Sequence, residues 1–414
     1  MKFDTSLLHG GYGPDKANGA TLPPISQNTA FAAGTAEELE AIFANRKPGF
    51  VYSRVSNPSV SSFERRMAYL ENGIGAVACN SGMAAITTAL LGFLCAGDEL
   101  LSASGIFGGT CSLFNGFEDL GIHTIYVPDS RVASFEQAFT PNTKAVFVES
   151  IGNPKLDVPD IAALSALCEQ HGALLVVDAT MATPYLYKPL TLGAHLLVHS
   201  TSKFINGSSS AIGGVLVDSG RIKWDLERFP SLKPYRKFGP MAYLAKLREG
   251  VYRDYGVCMP PLHAYLNGIG LETLGVRMER ICDNAFKLAQ ALEYTPGVAQ
   301  VTYPGLSSHP DHAVAEKQFG GHFGPMVTLR VGSWENAFSV LNALHYCTIA
   351  SNIGDARTLV LHPASSIYHE YTKEQRLRMG VSDDLIRVSV GLEDANDLIE
   401  DFRNALQAVR GDEE

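Results

Sequence analysis

A chain of 414 residues exceeds one ordinary core, and a composition 46% hydrophobic and 18% charged is that of a globular protein, so two domains plus an arm are expected. Asp and Glu outnumber Lys and Arg by 43 to 33, a net charge of -10 with no basic cluster, which argues against nucleic acid or an anionic membrane surface as partner and leaves small molecules. No apolar run reaches the ~18 residues a membrane helix needs, the amino terminus lacks a signal-peptide profile, and seven cysteines without CxxC spacing suit a reducing compartment. A cytoplasmic protein is the expectation.

Residues 1–55 are rich in Gly, Pro, Asn and Thr and show one short helical pattern, near Thr35 to Asn45. Such an arm buries little of itself and is expected to gain order on a neighbouring subunit. Tyr52 and Arg54 are then candidates to reach the neighbour's site, since arginine suits bidentate phosphate contacts; the plain alternative for Arg54 is a surface residue before the turn at Asn57-Pro58.

Over residues 56–255 strands and helices alternate, as a doubly wound α/β domain requires. Ala76–Cys79 reads as a short strand, and Asn80-Ser81 can cap a helix from Gly82 to Phe93 whose free amides would stabilise a phosphate placed before it. Further strands are expected at Glu99–Ala103, His123–Val127 and Ala145–Glu149. Phe107 precedes Gly108-Gly109, where backbone can approach a ligand closely; its ring either stacks on that ligand or packs in the core. Asn153, before Pro154, marks the C-terminal end of a strand and by itself signals only a turn.

Two segments then place opposite charges at the ends of neighbouring strands. Ala173-Leu-Leu-Val-Val-Asp178 is an apolar strand whose single charge stands at its C-terminal end, where open parallel sheets bind ligands. His195-Leu-Leu-Val-His-Ser200-Thr-Ser202-Lys203 runs from a second such strand into a hydroxyl-rich turn that presents one lysine. Most lysines are solvated and inert. A partly desolvated lysine among hydroxyls loses its proton readily and can form a Schiff base with a carbonyl cofactor. Pyridoxal phosphate needs that amine, a carboxylate at its ring nitrogen and donors for its phosphate, and Lys203, Asp178, Ser200 and Ser202 meet those needs.

Residues 256–414 read as a second α/β unit that begins with a long helical region from Gly268 to Leu292. Met326–Val331 and Leu385–Val390 alternate as strands of a half-covered sheet. Arg387 on the latter is either a solvent-facing residue, which the pattern alone favours, or a fork for a carboxylate. His309, His312 and His322 include an HxxH spacing without the glutamate of an HExxH motif or an ordered cysteine set, too little for a metal site, so an exposed loop and a helix start are expected there.

The chain carries Tyr52-Ser-Arg54-Val-Ser-Asn-Pro58, Ser81-Gly-Met83, Phe107-Gly-Gly-Thr110, Glu149-Ser-Ile-Gly-Asn153-Pro, Ala182-Thr-Pro184, Gly270-Leu-Glu-Thr-Leu274, His362-Pro-Ala-Ser365 and Arg387-Val-Ser-Val-Gly-Leu-Glu393. With these it resembles the fold-type I pyridoxal-phosphate enzymes of cysteine and methionine metabolism, and among them the O-acetylhomoserine sulfhydrylases. The resemblance implies a large doubly wound domain with a mainly parallel sheet and a smaller C-terminal α/β domain. It also implies a homo-oligomer, a tetramer built as a dimer of dimers, in which Tyr52 and Arg54 complete the adjacent subunit's phosphate site. Ser81, Gly82, Met83, Phe107, Asp178, Ser200, Ser202 and Lys203 are implied to hold the cofactor, and Arg387, Asn153 and Asn352 the amino-acid substrate.

The implied chemistry uses Arg387 to anchor the substrate carboxylate, Lys203 to take the α-proton and Asp178 to keep the cofactor ring protonated while a γ-substituent leaves. Sulfide or a thiol then gives homocysteine or methionine; water gives 2-oxobutanoate and ammonia. The first reading is γ-replacement on an O-acylated homoserine, and the second a γ-lyase acting on methionine, homocysteine or a homoserine ether analogue. A retired homologue that binds cofactor structurally is a third, opposed by the joint retention of Lys203, Asp178 and Arg387. The chain departs from its relatives at Phe107 (usually tyrosine), Ala179 and Met181 (usually asparagine and phenylalanine), Ser202 (usually threonine) and Ile367-Tyr368 (usually threonine and histidine). Ser202 keeps a hydroxyl; the others are expected to reshape the substrate side of the pocket, and Phe107 can stack but cannot transfer a proton.

Overall fold

The computed structural model describes residues 1–11, 13–14 and 19–411. Its larger sheet has seven strands: β1 (Gly75–Cys79), β2 (Glu99–Ala103), β3 (His123–Val127), β4 (Thr143–Glu149), β5 (Leu174–Asp178), β6 (Leu196–His199) and β7 (Gly214–Asp218). They lie in the order β1-β7-β6-β5-β4-β2-β3. The run from β6 to β3 is parallel, whereas β7 is antiparallel to both its neighbours.

Except for the edge strand β3, where only Val127 is buried, the apolar runs behind these strands are buried on both faces, as parallel sheets demand. Alternate residues sort by strand periodicity: Val146, Val148, Leu175, Val177, Leu197 and Val215 join one core. Ala145, Phe147, Leu174, Val176, Leu196 and Val198 join the other. The first core packs under the helices Pro58–Leu70, Ile161–His171 and Pro261–Glu272, and the second under Gly82–Leu91 and Ala242–Glu249.

A second sheet holds β8 (Gln300–Thr302), β9 (Met326–Arg330), β10 (Thr348–Ile349), β11 (Leu359–Leu361) and β12 (Leu385–Ser389) in the order β10-β11-β12-β9-β8. The half-covered sheet expected here needs correction. All five residues of β12 are buried. Ile386 and Val388 pack with the helices Leu274–Glu293, Trp334–Ala343 and Ala395–Gly411, while Arg387 on the other face points at the large sheet's ligand end. The helix Leu274–Glu293 serves both units, with Leu274, Met278 and Ile281 in one core and Leu288, Ala289 and Leu292 in another.

The helix expected from Gly268 is two, Pro261–Glu272 and Leu274–Glu293, broken at Thr273, whose φ of -108° and ψ of 8° leave the helical region. The arm has an expected helix, Ala36–Phe43 capped by the Thr35 hydroxyl, and an unexpected one, Phe3–His9, which lays Leu7 into the first core. The helix expected to reach Phe93 ends at Leu91. His309 is buried rather than in an exposed loop, its Nδ1 accepting from the Asp311 N–H at 3.1 Å. No described helix is long and apolar enough to cross a membrane.

Candidate active site

A cavity of about 710 Å³ opens at the C-terminal ends of β4, β5 and β6, closed on the far side by the second unit. It gathers residues that lie far apart in sequence: Ser81, Gly82, Met83, Phe107, Asn153, Asp178, Ser200, Ser202, Lys203, Asn352 and Arg387 all line it.

Each reaches the cavity for a local reason. The Ser81 hydroxyl caps the helix Gly82–Leu91 by accepting from the Ala84 N–H at 3.1 Å, so the helix starts at the cavity wall. A Cβ on Gly214 would lie 2.0 Å from the Ser81 carbonyl oxygen, so only glycine lets β7 pass behind this loop. The Phe107 N–H donates to Glu149 Oε1 at 2.7 Å, and a Cβ on Gly109 would meet the Phe107 ring at 2.6 Å; that glycine makes room for the aromatic ring itself. Ser200 N–H donates to Thr180 Oγ1 at 2.8 Å, tying the lysine-bearing turn to the end of β5. Ser202 is committed to its own turn, its hydroxyl donating to the Gly213 carbonyl at 3.1 Å and accepting the Gly213 N–H at 2.9 Å.

Lys203 follows β6, half-buried, with its Nζ donating to Asn352 Oδ1. Burial, with help from the Arg387 charge, pulls its ammonium down to about 8. Asp178 ends β5 with its Oδ1 accepting the Thr180 N–H at 2.9 Å; burial raises its carboxyl above the ordinary range, and Thr180 and His199 partly offset that.

Arg387 is 3% exposed. Its Nη1 donates to Asn153 Oδ1 at 3.2 Å and its Nη2 to the Asn352 carbonyl at 3.0 Å, and burial pulls the guanidinium down to about 10. Among the described residues it forms no ion pair with a carboxylate. A buried cation held by neutral oxygens leaves its charge to be met by an incoming anion.

Tyr52 and Arg54 do not line this cavity. Tyr52 is 42% exposed, the Arg54 guanidinium lies 5.5 Å from its ring centroid, and Arg54 Nη1 donates to the Arg253 carbonyl at 2.6 Å. Of the departures, Phe107, Met181 and Ile367 face the cavity, whereas Ala179 and Tyr368 are buried and do not line it.

Thr180 and Glu149, which are not among the expected site residues, also line the cavity. Glu149 ends β4, and the rule that singled out Asp178 at the end of β5 applies to it equally. Its two oxygens accept the N–H groups of Phe107 and Asn153, at 2.7 and 3.0 Å.

A family model, Cys/Met metabolism PLP-dependent enzyme, matches residues 4–407. The chain belongs to this family. It is 39% identical over 422 residues to a homocysteine synthase of Schizosaccharomyces pombe, covering 98% of each chain. It is 37% identical over 408 residues to an L-methionine gamma-lyase of Pseudomonas putida, covering 98% of this chain and 97% of the other. Among solved structures it resembles one from Campylobacter jejuni described as an O-acetylhomoserine (thiol)-lyase with N'-pyridoxyl-lysine-5'-monophosphate. That match has a TM-score of 0.93 at 30% identity, covering 98% of this chain and 100% of the other.

This member of the Cys/Met metabolism family is a pyridoxal-phosphate enzyme of fold type I. The cavity suits the cofactor on its own terms: an amine brought near neutrality, a carboxylate at the neighbouring strand end and a helix N-terminus with hydroxyls at the wall.

Proposed function

We propose that this enzyme exchanges the γ-substituent of an O-acylated homoserine for sulfide or a thiol, giving homocysteine or methionine. The observation that carries the reading is the pair Lys203 and Arg387, an amine and an unbalanced guanidinium tethered to the two oxygens of Asn352. An amine site and a carboxylate site so close together fit the two ends of an α-amino acid.

In this reading Lys203 holds the cofactor and takes the proton from the substrate Cα, for which a pKa of about 8 is well matched. Asp178 keeps a proton on the cofactor's ring nitrogen. Bound pyridoxal phosphate supplies the electron sink that makes Cα–H and Cβ–H acidic enough to remove. Arg387 binds the α-carboxylate, with Asn153 and Asn352 orienting its fork. The amides at the start of Gly82–Leu91, with Ser81, Met83 and Ser200, form the phosphate end, and Ser202 joins them by exchanging its hydrogen bond to the Gly213 carbonyl for one to the phosphate. Phe107 offers an aromatic face and no proton. Met83, Met181 and Ile367 supply an apolar wall that excludes water while the γ-group leaves.

Phe107 favours replacement on an ester over elimination from a thioether, because acetate leaves without a proton whereas a thiolate leaves better with one. The discriminating measurement is turnover of O-acetylhomoserine and of methionine, each with and without sulfide. Acetate release with homocysteine formation is expected to be much the faster. Faster thiol release from methionine would make the enzyme a γ-lyase.

We further propose the division of the chain into an arm (1–55), a cofactor domain (56–255) and a C-terminal domain (256–414), assembled as a dimer of dimers. Tyr52 and Arg54, turned away from their own cavity, would complete the phosphate site of the adjacent subunit. Exposed Ile212, Tyr255 and Leu262 provide apolar surface for that contact. Seven unpaired cysteines support a cytoplasmic setting.

A further inference from the structure

Tyr368 is fully buried and does not line the cavity, yet its hydroxyl donates to the Asn153 carbonyl oxygen at 2.8 Å. The Asn153 N–H donates in turn to Glu149 Oε2 at 3.0 Å. Asn153 is therefore gripped by both of its backbone polar groups, which leaves its carboxamide little freedom. That carboxamide holds Arg387 Nη1 at 3.2 Å, while the Asn352 carbonyl holds Nη2 at 3.0 Å.

A guanidinium binds a carboxylate best when two N–H groups in one plane meet its two oxygens. The angle of that plane depends here on two asparagines, and Tyr368 fixes one of them. The ring also abuts the start of the helix Gly108–Gly116, where a Cβ on Gly108 would lie 3.1 Å from Tyr368 Cε1. Tyr368 thus braces together the loop that presents Phe107 and the residue that aims Arg387.

We propose that Tyr368 is a positioning residue for the substrate's α-carboxylate, acting through Asn153 on Arg387 without touching the substrate. The inference rests on the reading of Arg387 as the carboxylate clamp. Its consequence is selective: the residue governs binding of amino acids and is indifferent to amines that lack the carboxylate.

Tyr368→Phe keeps the ring and removes one hydroxyl. The holoenzyme and this variant would be titrated with glycine and with ethylamine by cofactor absorbance, and KM and kcat measured for O-acetylhomoserine. The expected result is a glycine Kd and a KM each raised about tenfold, with kcat changed much less and ethylamine affinity unaltered. Unchanged glycine affinity, or equal weakening of glycine and ethylamine, would overturn the proposal. Arg387→Lys, titrated alongside, separates the two levels of inference. If it does not weaken glycine, the clamp itself is wrong; if it does and Tyr368→Phe does not, only the role of Tyr368 falls.

Discussion

Glu149 and Asp178 stand opposite each other in register at the ends of β4 and β5, two carboxyls side by side on the cavity floor. Burial pushes both above the ordinary range, and the Asp178 charge pushes Glu149 further, against the two N–H groups that Glu149 accepts. A raised acid binds more protons in the folded than in the unfolded state, so its favourable contribution is present below the unfolded value and is lost as pH rises through the folded one. Glu149→Gln removes this penalty but gives Phe107 N–H or Asn153 N–H a nitrogen in place of an oxygen. We expect a loss of about 1–3 kcal/mol at low pH that shrinks as pH rises. Denaturant unfolding of both proteins from about pH 4 to about pH 8 checks it. A gap that widens with pH would contradict the assignment.

Lys203 gives a prediction with the opposite sign of charge. Its ammonium is lowered to about 8, so the reactive neutral amine gains population as pH rises through that value. Uptake of pyridoxal phosphate by the apo-protein is expected to quicken about tenfold between pH 7 and pH 8.5 and to level off above. Borohydride reduction followed by peptide mass analysis should find the cofactor on Lys203 and on no other lysine. Lys203→Ala should lose the covalent link while retaining the fold.

The arm offers a test of assembly. Subunits carrying Arg54→Ala and subunits carrying Lys203→Ala should each be inactive alone. Mixed under conditions where subunits exchange, they should recover part of the activity, since one hybrid site keeps both residues. No recovery despite proven exchange would place Arg54 in its own subunit's structure, where it already holds the Arg253 carbonyl.

Phe107→Tyr adds a phenol at the cavity wall. General acid help is worth ~10²–10⁴-fold, so release of thiol from methionine should rise well beyond assay error while release of acetate from O-acetylhomoserine changes little. The ratio of the two rates in wild type and variant is the quantity to measure. An unchanged ratio would show that the ring at this position faces away from the leaving group.

A buried pair that does not itself line the cavity tests packing. His199 Nε2 and Glu71 Oε1 lie 2.6 Å apart with both side chains fully buried. His199→Ala leaves the Glu71 carboxyl without that partner and should cost about 3–5 kcal/mol in unfolding free energy. A loss under about 1 kcal/mol would mean that water replaces the ring.

Much of this was readable from the sequence because it depends on local rules. Apolar runs of strand length with a charge or hydroxyl at the C-terminal end located Asp178, Lys203 and Ser200, and a parallel sheet necessarily brings such ends to one edge. Glu149, the charge that ends the apolar strand β4, obeys the same rule and is equally legible in the sequence. Arg387 differed: Ile-Arg-Val-Ser has the alternation of a solvent-facing strand, and only the packing of β12 against the large sheet's ligand end turned that arginine inward. Tyr368 lay further still from local reach. Its partner Asn153 is 215 positions away along the chain, and a hydrogen bond over that distance is decided by how two units pack, which no short-range pattern encodes.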